Sequence, residues 1–98
     1  MASQTDVLST RLAASGDVTV TARARLRGVW LVPGTAAGSV AFKDGGSGGT
    51  TLLTIDTPAQ AANATVPVYI QLPGEGQLFR TSIYATISNT SFVTAFWS

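Results

Sequence analysis

Apolar and polar residues alternate with a period of two through much of the chain. Successive side chains of a strand point to opposite faces, so this spacing predicts strands. In RARLRGVWLVP, residues 23–33, strict alternation places Ala24, Leu26, Gly28, Trp30 and Val32 on one face. Arg23, Arg25, Arg27, Val29 and Leu31 then share the other. Pro33-Gly34 ends the run as the centre of a type II turn, which takes Pro second and Gly third. In SVAFKDGGSGGTTLLTID, residues 39–56, pairing Phe42 with Leu53 and Val40 with Ile55 keeps one register. The glycine stretch then falls at a hairpin tip, where glycine supplies the positive φ that a tight turn needs.

In VPVYIQL, residues 66–72, Val66, Val68, Ile70 and Leu72 alternate, and Pro67 predicts an edge strand or a bulge. SIYATIS and SFVTAFW read as a last hairpin with Asn89-Thr90 as its loop. Ile87 would then oppose Phe92, and Ile83 would oppose Phe96. The reverse face, with Tyr84, Val93, Ala95 and Trp97, is apolar too, so both faces are expected to be covered. Residues 1–16 show no clean period and are expected to form an N-terminal arm, extended or attached as a loose first strand. Residues 17–98 are expected to form one domain. Short strands spaced by turns predict an all-β fold, an antiparallel β-sandwich of jelly-roll or Ig-like type with about seven to eight strands.

Composition adds a need for company. Only 11% of the 98 residues are charged and 45% are apolar, against roughly 25% charged in an average soluble domain. A surface so poor in charge is expected to be partly covered by other protein, and a homo-oligomer follows. The net charge of +1 gives no argument for nucleic acid. No apolar run reaches the ~18 residues of a membrane span, so no membrane partner is expected. The start, MASQTDVLSTRLAASGD, lacks the basic and apolar regions of a signal peptide, so use without export through that route is expected.

Candidate chemistry is sparse. The chain has no histidine and no cysteine, so a Ser-His-Asp triad and a thiolate metal site are both out of reach. No Lys followed by Ser or Thr comes after Gly49, as a phosphate-cradling loop would require. Asp6, Asp17, Asp44, Asp56 and Glu75 are scattered through the arm and the turns, whereas a glycosidase needs two converging acids. No enzymatic activity, cofactor or metal is expected. Arg23, Arg25 and Arg27 form a comb suited to a partner's carboxylates, or else a solvated strand face. Only Arg11, Lys43 and Arg80 add positive charge elsewhere, so nucleic-acid binding is not expected. Trp30, Tyr69, Tyr84 and Trp97 suit core or interface packing, or a sugar-binding platform. The candidate interface residues are therefore Arg23, Arg25, Arg27, Tyr69, Tyr84 and Trp97.

The order RGVWLVPGTAAGSVAFKDGGSGGTTLLTID, VYIQLPGEGQLF and SIYATISNTSFVTAFW, within residues 27–97, resembles small all-β virion proteins of tailed bacteriophages, of the head-decoration and tail type. The resemblance implies a non-enzymatic structural protein of the virion, foremost a capsid decoration or cement protein assembled in the host cytoplasm. Its implied partners are copies of itself, with a trimer expected, and other virion proteins such as the major capsid protein. The alternative is a tail or fibre component that binds host-surface glycan through Tyr69, Trp97 and loop tips.

Overall fold

The computed structural model describes residues 8–19, 23–60, 66–74 and 76–98. Among them run nine strands: β1 (Leu8–Leu12), β2 (Gly16–Asp17), β3 (Ala24–Pro33), β4 (Gly38–Asp44), β5 (Thr50–Thr57), β6 (Val68–Gln71), β7 (Gln77–Phe79), β8 (Ile83–Ser88) and β9 (Thr90–Trp97). Sheet A has the order β1-β9-β3-β6, with β7 also on β3, and sheet B has the order β2-β8-β4-β5. All pairings are antiparallel. β7 pairs with Ala24–Leu26 and β6 with Gly28–Leu31, end to end along β3. Nine strands thus fill eight lanes. Successive strands change sheet except at β4–β5 and β6–β7. That is the strand order of a jelly roll, so the Ig-like alternative is set aside.

The two sheets meet over a core of Leu26, Val29, Leu31, Val40, Phe42, Phe79, Ile83 and Val93, all almost fully buried. Burial of each such side chain contributes about 1.5–3 kcal/mol. The hairpin read from the sequence is present in its expected register, with Val40 opposite Ile55 and Phe42 opposite Leu53. Gly45 and Gly46 at its tip have φ of 103° and 93°. A register shift follows, because Lys43 pairs with Thr51 and leaves Leu52 bulged out.

Three expectations change. First, β3 does not alternate strictly. Leu26 pairs with Trp97 and Gly28 with Phe96, so Arg27-Gly28 forms a β-bulge. The bulge shifts the phase by one residue. Val29 and Leu31 join Leu26 in the core, while Trp30 is 42% exposed on the outside with Arg25. Second, β8 and β9 are not a hairpin. Ile87 faces Val40 and Ile83 faces Asp44 in sheet B, while Phe92 faces Val32 and Phe96 faces Gly28 in sheet A. Two apolar strands adjacent in sequence satisfy each other equally well across a core, and here Ala85 and Val93 are both fully buried that way. Asn89, at φ 49°, carries the chain between sheets.

Third, Gly34 is not among the residues with positive φ, so Pro33-Gly34 is no type II turn. Pro33 ends β3, and the Gly34 N–H donates to the Asn89 carbonyl at 3.2 Å. A side chain at residue 34 would meet that carbonyl oxygen at 2.7 Å. Of the two readings of residues 1–16, an extended arm or a loose first strand, the described part takes the second and is paired from Leu8 onward. β1 lies against β9 from Leu8–Trp97 to Leu12–Val93. Thr10 Oγ1 donates to the Val18 carbonyl at 3.0 Å and accepts from Trp97 Nε1 at 3.1 Å. Residues 1–7 lie outside the described residues. Pro67 stands just before the edge strand β6, as its missing N–H requires.

Candidate functional site: the outer face of sheet A

The outer faces of the two sheets differ in chemistry. Outward positions of sheet B hold Asp17, Ser39, Ala41, Lys43, Thr54, Asp56, Tyr84 and Thr86, a polar set. Sheet A instead turns out Trp30, Val32, Tyr69, Phe92 and Phe96. Tyr69 is 51% exposed and Phe92 37%. Arg11 stacks its guanidinium over Phe92, 4.2 Å from the ring centroid, a cation–π contact.

The registers explain the cluster. Trp30 pairs with Tyr69, and Gly28 pairs with Gln71 on one side and Phe96 on the other. Tyr69 leans diagonally over Gly28, so close that a Cβ there would lie 2.5 Å from its hydroxyl. The bare backbone at Gly28 lets the Tyr69 ring reach Phe96, edge to face, with centroids 6.1 Å apart at 72°. Beside these rings the bulge projects Arg27, whose Nε donates to Ser98 Oγ at 2.8 Å. Trp30, Tyr69, Phe96, Arg27, Gln71 and Leu72 line an open cleft of ≈ 630 Å³. Pockets of 300–1,000 Å³ with an apolar floor and a few polar groups are the usual form of small-ligand sites. A second hollow of ≈ 430 Å³ lies at the β3 and β9 ends, around Pro33, Thr35, Asn89 and Ser91, without an aromatic wall.

The six expected interface residues separate. Arg25, Arg27 and Tyr69 come together on the outside of sheet A. Arg23 is exposed just before β3. Tyr84 lies on the opposite side of the molecule, between Asp17 and Lys43. Trp97 turns inward, packs against the core and bonds Thr10, so its role is packing rather than contact. Trp30, already named as a platform candidate, takes its place on the outer face. Phe96 and Gln71 were missed; the signal was the alternation of β6 and β9, whose phase only the neighbouring strands settle.

Among the described residues no group of three or more His, Cys, Asp or Glu is placed to hold a metal ion. Asp44 has a structural task. Its carboxylate accepts the backbone N–H groups of Thr81 at 2.8 Å, Arg80 at 3.1 Å and Ser82 at 3.3 Å. Those bonds, first from Thr81 and then from Arg80, hold its pKa below the ordinary carboxylate value. Glu75 lies outside the described residues. Comparisons with protein-family models, curated proteins and solved structures return no match.

Proposed function

We propose that the protein is a non-enzymatic structural component of a tailed-phage virion, a head decoration or cement protein that associates with itself and with the major capsid protein. The resemblance over residues 27–97 supports the setting. The observation that carries the associating role is the edge of β5. This strand ends sheet B, is eight residues long and has one charged residue, Asp56. Natural sheet edges are usually guarded by lysine, proline, short length or a covering element. Among the described residues β5 has only the bulge at Leu52, itself 38% exposed. An edge of this kind pairs readily with another chain, and closure about a three-fold axis gives the trimer. Assembly through an edge leaves the outer face of sheet A open.

Sedimentation of the full chain and its copy number in purified particles test the proposal. Expected are an oligomer that Thr54→Lys shifts toward monomer, and a copy number on the scale of the shell rather than of the tail. A wild-type chain that stays monomeric at high concentration would overturn it.

A further inference from the structure

We infer that the cleft on sheet A is a binding site for an acidic saccharide, a sugar ring bearing a carboxylate. The rings supply the first half of the recognition. A pyranose presents a face of C–H groups that packs on an aromatic surface, and Trp30 and Tyr69 offer such a surface side by side, 42% and 51% exposed. The platform is built before any ligand arrives. Tyr69 is seated over Gly28 and braced by Phe96, so little side-chain freedom is lost on binding.

The polar half follows from charge. The outer face of sheet A holds Arg11, Arg25 and Arg27, and among the described residues no Asp or Glu side chain shares it. Asp17 and Asp56 lie on sheet B, on the other side. The described charged side chains of this face are thus complementary to an anionic ligand. Arg27 Nε is engaged with Ser98 Oγ, which fixes the guanidinium plane. Its terminal nitrogens then form the planar fork that matches a carboxylate. The Gln71 amide, across the cleft floor, offers both a donor and an acceptor to sugar hydroxyls. The volume of ≈ 630 Å³ accommodates a short oligosaccharide.

The site differs from a platform built on Trp97, because Trp97 faces the core. It also stands apart from the β5 edge, so sedimentation reads self-association and sugar titration reads the cleft. The test is calorimetric or NMR titration of the full chain with trigalacturonate and, in parallel, with the neutral galactose trisaccharide. The acidic sugar should bind about ten-fold more tightly, the worth of one charge-assisted hydrogen-bonded contact. Arg27→Gln should erase that preference, and Trp30→Ala should weaken both sugars. Tyr84→Ala, on the far sheet, should change neither, and thermal melting should show all three variants folded. No titratable binding of trigalacturonate at millimolar concentration would overturn the inference. So would equal affinity for the two sugars, or full binding by Trp30→Ala.

Discussion

Deleting Arg27 removes the extra residue that makes the β3 bulge, and β3 then pairs one to one with β9. Leu26 stays opposite Trp97, Gly28 opposite Phe96 and Val29 opposite Ala95, so strict alternation places Leu26, Val29 and Leu31 together on the core face. No buried side chain changes face. The loss is confined to two hydrogen bonds, from Arg27 Nε to Ser98 Oγ at 2.8 Å and from the Leu72 N–H to the Arg27 carbonyl at 3.0 Å. Arg27→Ala loses only the first, so the deletion should cost about 0.5–1.5 kcal/mol more than that control. At about 4–8 °C per kcal/mol for a chain of this size, the two midpoints should lie within about 12 °C of each other. The assay is thermal melting by circular dichroism. Were Arg27 a regular residue of an unbroken strand, its deletion would turn Val29 and Leu31 outward, at about 3–6 kcal/mol for the two, against a total stability of about 5–15 kcal/mol for a domain. A deletion variant that melts more than about 12 °C below Arg27→Ala, or does not fold, would therefore refute the bulge as the device that sets the phase of β3.

Removing residues 1–14 should lower the melting midpoint and shift Trp97 fluorescence to the red, since β1 and the Thr10 bond shield that side chain; an unchanged spectrum would place β1 outside the folded unit. Asp44→Asn should destabilise at neutral pH. The Asp44 pKa is lower folded than unfolded, so its contribution is present above the unfolded value of about 3.9 and lost as pH falls through the depressed one. The melting gap between parent and variant should therefore close in acid, and a gap constant down to about pH 2 would contradict the assignment. Ser47→Ala should leave melting and assembly unchanged, because Lys43 Nζ reaches the Ser47 backbone carbonyl at 3.2 Å rather than its hydroxyl.

What the sequence made legible was local. The β4–β5 hairpin declared its register because its two strands are joined by a glycine tip, and Val40–Ile55 and Phe42–Leu53 pair across it. The strand class was legible from alternation, since each strand has one face toward the core. The β3 bulge was not, because Arg27-Gly28 breaks the period without leaving a run of like residues. Whether Phe96 or Trp97 faces inward was equally hidden. Both are aromatic neighbours on one strand, and the choice is made by β1 and β3, which come from distant parts of the chain. Arg27 and Tyr69 were therefore found as candidates by type, while their meeting over Gly28 depends on registers that only the assembled sheet defines.

β9 is the farthest strand along the chain, yet it lies in the middle of sheet A, between β1 and β3. Leu8 waits for Trp97, and Val29 waits for Ala95. Closing loops of that length costs entropy before any contact rewards it. During synthesis, β4 and β5 can zip together early, but sheet A stays in two pieces until Thr90–Trp97 have been made. Until then the inner faces of β1 and β3, with Leu12, Val29 and Leu31, lack their cover from Val93 and Ala95. A nascent chain with those faces open is the form most exposed to mispairing with its neighbours on a polysome.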